Sequence, residues 1–291
     1  MKTKVKEIVF KNKGTSNFSF DLVDLESILD LRPKDHNQFD HHKISFYVII
    51  IITEKKGLHS INYKNYKYKK GTIFTLRKNS IHKFVKSNAK GKFLVFTEDF
   101  AIQNSNKKEN LRLFQLFNEM LSSPKLQLTN NDFDEIENLL QQIEKEYLEL
   151  NDEYSAEVIR SLVQVLIHKL FRIKSAKNDN LKNHNYHLQF MKLQELVENE
   201  CFESKKAVYY ANKMGVTTRT LNNIVKNTIN KSVKSFIDEI VILQIKRLLA
   251  NSQLSFTEIA YKSGFDDPTN FFKYFKKNTR LSPKQFREDY N

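Results

Sequence analysis

From roughly residue 40 to 100 the chain alternates short apolar runs with turn residues, the pattern of strands rather than helices. Ile44 to Thr53 is β-branched and aromatic, and Lys55-Lys56-Gly57 turns it. Leu58 to Tyr68 follows and Gly71 punctuates; then come Thr72 to Leu76, Ile81 to Lys86 and, after Gly91, Phe93 to Thr97. Runs at roughly ten-residue spacing predict a small antiparallel barrel or sandwich.

Beyond residue 100 the apolar period changes to three and four. Leu111, Phe114, Leu116, Phe117 and Leu121 predict a helix ending before Pro124. Phe133, Ile136, Leu139, Leu140, Ile143 and Tyr147 predict a second, and the wide stripe from Val158 to Phe171 a third. Lys174 to Asn185 is polar, without apolar period, and reads as a linker. From His187 onward the pattern is helical again, interrupted at Gly215, Asn230, Gly264 and Pro283. The expected division is therefore 1–173, a β-rich domain closed by helices; 174–186, a linker; and 187–291, an all-helical domain. The fold class is α+β, multidomain.

The helical tail contains a repeat. Ala211-Asn212-Lys213-Met214-Gly215 returns 49 residues later as Ala260-Tyr261-Lys262-Ser263-Gly264. Ser232-Val233-Lys234-Ser235-Phe236 returns 50 residues later as Ser282-Pro283-Lys284-Gln285-Phe286. Each copy reads as helix, glycine turn, second helix and capped segment, the order of a helix-turn-helix. Gly215 or Gly264 supplies the left-handed residue that ends the first helix, and Val216 or Phe265 pins the turn. Thr217 caps the second helix of the first copy, and Asp266 or Asp267 that of the second. Leu221, Ile224 and Val225 in one copy, and Phe271, Phe272 and Phe275 in the other, form the inward stripe. The helix from Phe236 to Leu249 joins the two units.

Charge sharpens this picture. The formal net charge of +14 points to a polyanionic partner only once it is located, because lysine is abundant throughout the chain. Residues 204–237 hold seven Lys or Arg and no acid, and residues 269–287 hold six and no acid. Between them, 238–267 carries five acids against three bases. Two acid-free windows over the two second helices fit contact with DNA phosphates.

These residues resemble the AraC/XylS family of bacterial transcription activators. The second copy carries most of the likeness: Glu258-Ile259-Ala260, Gly264-Phe265-Asp266-Asp267, Asn270-Phe271-Phe272, Phe275-Lys276-Lys277, Ser282-Pro283 and Phe286-Arg287. The likeness spans roughly 190–291. The first copy is looser, with Val225 where an aromatic is usual; Asn230 and Arg280 stand where glycine is common, and the connecting helix lacks an early arginine, with Ile240 and Val241 there. The resemblance implies that Arg219, Asn222 and Asn223 face base edges from the first recognition helix, and Pro268, Thr269 and Lys273 from the second. An Arg can pair bidentately with guanine and an Asn with adenine, whereas Pro268 and Thr269 offer mainly apolar contact to a thymine methyl. Lys226, Lys276 and Lys277 would meet phosphate. Thr217, Thr218 and Asn270 complete the expected DNA-binding set.

The strand-rich region resembles the cupin-type sensor barrel that precedes many such domains, on His41-His42, the turn spacing, Gly71, His82 and Phe96-Thr97-Glu98. His41, His42, His59 and His82 are present, but the spaced His-x-His pattern with a following Glu is missing, so no metal or other cofactor is expected. A small-molecule effector in the barrel is an expectation of the resemblance, set against a barrel filled by its own side chains.

The Val158–Phe171 stripe is a candidate homodimer seam or the cover of the barrel's open end. One cysteine, Cys201, rules out an internal disulfide and suits a reducing cytoplasm. The longest apolar run, Phe46 to Ile52, is far short of a membrane span.

The reading is an effector-responsive, sequence-specific transcription regulator, not an enzyme, with RNA polymerase as a further expected partner. The resemblance favours activation over repression. Two rivals stand beside it: a cupin-type metal-dependent enzyme with an accessory nucleic-acid module, and a non-specific DNA-packaging protein. No glycine-rich phosphate loop, HExxH or paired Ser and His motif appears.

Overall fold

The apolar run Phe46 to Ile52 explains the architecture of the first half, because a strand buried on one face only would alternate. A computed structural model describes residues 6–10, 19–30, 37–101, 115–118, 123–150, 152–176 and 184–290. In it Val48, Ile50 and Ile52 point into one core and Tyr47, Ile49 and Ile51 into another. The strand is the middle layer of three.

In chain order the strands are β1 (Lys6–Ile8), β2 (Phe20–Asp24), β3 (His42–Ile44), β4 (Tyr47–Glu54), β5 (Lys56–Ile61), β6 (Lys64–Lys69), β7 (Thr72–Leu76), β8 (Ile81–Phe84), β9 (Lys90–Phe96) and β10 (Lys125–Gln127). They form two five-stranded sheets, ordered β1-β3-β8-β5-β6 and β10-β7-β4-β9-β2. The expected β-domain is thus present as two open sheets, not a closed barrel. All pairings are antiparallel except β1 with β3. The first core lies between the sheets. The second lies between the outer face of the β4 sheet and two helices, α3 (Asn130–Lys145) and α4 (Ser155–Ala176). Two short helices, α1 (Leu25–Asp30) and α2 (Glu98–Ala101), complete this half.

Three sequence expectations change here. Leu58 to Tyr68 is not one strand but a hairpin, turned at Asn62 and Tyr63, whose φ values are 48° and 63°. Two successive left-handed residues make the mirror-image turn that suits strand twist; Asn62 is the local signal, set among alternating aromatic and polar residues that read as one strand. β1, β2 and β10 were not expected from the pattern. The stripe on α4 covers a sheet face, not a barrel mouth: Ile159, Val163, Leu166, Ile167 and Leu170 are buried against it. Of the helix expected over 111–121, residues 115–117 form a single 3-10 turn and the rest lies outside the described residues. α4 takes in Lys174, which is buried and donates to the Leu116 carbonyl at 3.0 Å. The middle of the expected linker, 177–183, lies outside the described residues.

Contacts divide the chain into two compact units, one over Lys6–Asp179 and the other taking in Asn180–Asn291. The second is all helical: α5 (His184–Glu200), α6 (Ala207–Lys213), α7 (Thr218–Ile229), α8 (Val233–Asn251), α9 (Phe256–Lys262), α10 (Pro268–Thr279) and α11 (Pro283–Tyr290). α6–α7 and α9–α10 are the two helix-turn-helix pairs. α8 joins them, with Phe236, Ile237, Ile240, Val241, Ile245 and Leu249 buried.

Candidate DNA interface

Both turns follow from their sequences. Gly215 and Gly264 have φ of +65° and +70°, where a side chain is strained. Thr217 then caps α7, accepting from the Thr220 amide at 3.1 Å. Of the two candidate caps in the second copy, Asp267 is the one used, accepting from the Thr269 amide at 2.7 Å, and Pro268 opens the helix where its missing N–H is harmless. The recognition helices end alike: Asn230 and Arg280, at the positions where glycine was noted as common, are both left-handed, with φ of 54° and 64°.

The inward stripe of α7 is as expected, with Leu221, Ile224 and Val225 wholly buried. That of α10 is narrower. Phe271 and Phe275 are wholly buried, but Phe272 is 38% exposed and packs on Phe256. Phe272 lies about 100° round the helix from Phe271, at the edge of the buried stripe.

The opposite faces carry the expected DNA-binding residues. Thr217, Thr218, Arg219, Asn222, Asn223 and Lys226 are exposed on the first unit; Thr269, Asn270, Lys273, Lys276 and Lys277 are exposed on the second, with Pro268 half-buried. Arg219, Lys273, Lys276 and Lys277 make no side-chain hydrogen bond or ion pair with another described residue. Asn222 is different. Its amide donates to the Thr218 carbonyl at 3.0 Å and its oxygen accepts from the Val233 amide at 3.3 Å, so it braces the helix and must release a bond to reach a base.

The structure also sorts the basic residues that sequence could only count. In the first acid-free window Lys213 pairs with Glu200, Lys231 with Glu239 and Lys234 with Asp238. Lys206, Arg219 and Lys226 have no such ion pair among the described residues. In the second, Arg287 donates to the carbonyls of Leu249 and Leu254 at 3.2 and 2.9 Å, and Lys284 faces Glu288. Lys273, Lys276, Lys277 and Arg280 remain.

Lys205 was counted with the phosphate contacts and does other work. Its Nζ donates to the carbonyls of Ser263 and Gly264 at 2.7 and 3.1 Å and lies 4.3 Å from the centre of the Phe265 ring. Burial lowers its pKa from the ordinary lysine value. Beside it, a Cβ on Gly264 would stand 2.1 Å from the Phe202 carbonyl oxygen. The segment leading into the first unit thus clasps the turn of the second. Tyr274 adds a tie to the joining helix, donating to Asp238 at 2.6 Å. No periodicity or spacing marks Lys205, Tyr274 or Arg287 as structural; each needs its distant partner to be seen.

Two helix-turn-helix units held by one connecting helix, following a two-sheet domain, define a DNA-binding regulator with a separate sensing domain. Residues 210–289 match the helix-turn-helix domain family and residues 29–94 the AraC-like ligand-binding domain family. The chain is similar to the HTH-type transcriptional activator RhaR of Enterobacter sp. (strain 638), 22% identical over 252 residues that cover 86% of this chain and 88% of that protein. It is similar also to the activator RhaS of Escherichia coli O1:K1 / APEC, 20% identical over 259 residues with the same coverages. Among solved structures it resembles ToxT from Vibrio cholerae O395, at 15% identity and a TM-score of 0.40, covering 94% of this chain and 100% of that one. The chain belongs to the AraC family of helix-turn-helix transcription regulators, and it is a DNA-binding protein rather than an enzyme. No helix among the described residues is long and apolar enough to cross a membrane.

Proposed function

We propose that this protein activates transcription in the cytoplasm by laying α7 and α10 in successive major grooves of one duplex, about 34 Å apart. The observation that carries this is the pairing of two exposed helix faces, bearing Arg219, Asn223 and Lys226 on one and Lys273, Lys276 and Lys277 on the other. In this reading Thr218, Arg219, Asn222 and Asn223 read bases, with Thr217 at the helix entrance. Pro268, Thr269 and Asn270 read a shallower code in the second groove. The lysines meet phosphate and add affinity without sequence choice. The β-rich half, with α4 running on to Ala176, senses an effector, and the helical half from His184 binds DNA.

Two chains act together in this reading, joined along the outer side of α4, where Val158 and Val165 are 39% and 43% exposed while the opposite stripe is buried. RNA polymerase is the partner through which activation is exerted; the similarity to curated activators supports that sign. Selection of duplexes from a random-sequence pool by the full chain tests the whole proposal. A two-part motif with fixed spacing is expected. Uniform binding to every sequence would favour a packaging role instead.

A further inference from the structure

The inter-sheet core of the β-domain contains a polar spot that nothing in DNA binding uses. His42 on β3, His82 on β8 and Ile61 on β5 lie in one cross-strand row, and His59 pairs with Phe84 two residues along. Directly paired residues share a face, and so do residues two apart along a strand; Ile61 and Phe84 belong to the inter-sheet core, so the three histidines face inward. Ring centres lie 4.1 Å apart for His42 and His82 and 5.2 Å for His59 and His82. Sequence could not show this, because the three are united only by the register of three strands.

His59 is wholly buried, and neither ring nitrogen has a partner; Nδ1 of buried His82 has none either. Buried polar groups are as a rule matched, and those left unmatched by the protein itself call for a partner such as a ligand, ion or water. Aromatic carbon surrounds them, with Phe84 and Phe74 centred 4.4 and 5.3 Å from His59. Among the described residues no three His, Cys, Asp or Glu are grouped so that they could hold a metal ion. What the spot lacks is an acceptor with an apolar body.

We propose that His42, His59 and His82 form the polar end of the effector site and take the carboxylate of a small organic acid, whose body lies against Phe74 and Phe84. This rests on reading the β-domain as the ligand-binding domain. The electrostatics select an anion. β4, β7 and β9 contribute Val48, Ile50, Ile52, Phe74, Leu76 and Phe93 to this core, and the buried Thr72 hydroxyl of β7 is taken up by Gln127. The groups acting on the rings are each other, His41 and, on His41, Lys83; no carboxylate is among them. Asp40 contributes only its backbone carbonyl, 3.2 Å from His42 Nδ1, and Tyr68 is engaged with Ser87. Burial, then the charge of His42, holds His59 down to about 3, and burial with the neighbouring imidazoles holds His82 well below the ordinary value. His59 and His82 are therefore neutral near pH 6. An entering carboxylate raises these values, so binding takes up about one proton, and affinity falls up to tenfold per pH unit above the liganded pKa.

The test is calorimetry of the full chain near pH 6 in two buffers of different ionisation enthalpy. The probes are monocarboxylic acids with aliphatic and aromatic bodies, each beside its primary amide. Expected are binding by at least one acid with uptake of about one proton, no binding by its amide, and loss of at least tenfold affinity in His59→Phe and in His82→Gln. Equal binding by acid and amide, binding without proton uptake, or no binding by any acid would each overturn the proposal. Should His59→Phe fail to fold, His82→Gln and the wild-type proton count still decide. Zinc added alone is the control: tight zinc binding that both variants abolish also overturns it. DNA binding measured on the same samples separates the two readings, since its loss would sink the regulator and leave the acid site standing.

Discussion

The two helix-turn-helix units share a repeat, a turn conformation and a capping scheme, yet they are built to different tolerances. Around Gly215 nothing lies within 4 Å of where a Cβ would sit; at Gly264 the Phe202 backbone fills that place. The first turn needs glycine only for its left-handed φ. The second needs it because another part of the chain docks there and Lys205 locks the contact. Their reading faces differ as well: α7 opens with neutral Thr217 ahead of Arg219, whereas α10 opens behind Asp266 and Asp267, both exposed. Acids at a helix entrance favour the helix dipole and disfavour approach to phosphate. The first unit thus has no acid at the entrance of its second helix, whereas the second is fixed in place by the Phe202 and Lys205 contacts.

The strongest way to break this comparison is alanine at the two glycines. Gly264→Ala should lower stability by more than about 3 kcal/mol, since backbone rather than a flexible side chain must move. Gly215→Ala should lose only the left-handed penalty, about 1 kcal/mol. Urea unfolding of the full chain, followed by helical circular dichroism, checks both; equal losses would contradict the asymmetry.

Next in size is readout. Arg219→Ala should lose about 2 kcal/mol of discrimination at one base pair of the first half-site, and Thr269→Ala less than about 0.5 kcal/mol in the second. Binding competition on single-base variants of a selected duplex measures each.

The clasp comes third. Lys205→Met keeps the stem and removes the charged donor, and should lower stability by about 1.5 kcal/mol. It should also broaden the spacing between half-sites that the protein selects. Loss of affinity with unchanged spacing would return Lys205 to the phosphate contacts.

The smallest effect has the opposite sign. Arg280→Gly relieves a left-handed arginine against the extra freedom of an unfolded glycine, for a gain of about 0.5 kcal/mol. Asn230→Gly should change stability little, because asparagine tolerates that conformation. Thermal melts of the two variants side by side sharpen the point.

The repeat made the helical half legible: Gly215, Gly264, Thr217 and the Leu221-Ile224-Val225 stripe all declare local geometry. So did the run Phe46 to Ile52, whose unbroken apolar character requires cover on both faces. What remained hidden depends on pairs far apart in the chain. An adjacent apolar pair does not say whether its second member is buried, as with Val225, or half-covered by another helix, as with Phe272 on Phe256. Lys205 looked like any other lysine until Ser263, 58 residues on, received it. The histidines are visible in the sequence but their grouping is not, since a sheet's register and not a spacing brings His42, His59 and His82 together. The Asn62–Tyr63 turn was missed for a local reason, because tyrosine rarely takes a left-handed φ and the surrounding residues read as one strand.

Methylation protection of guanine N7 in a selected duplex bound by the full chain probes the major groove directly. Two protected segments should appear, centred about 10.5 base pairs apart on one face of the DNA, the first weakened selectively by Arg219→Ala. Protection confined to a single segment, or spread evenly along competitor DNA, would contradict the account.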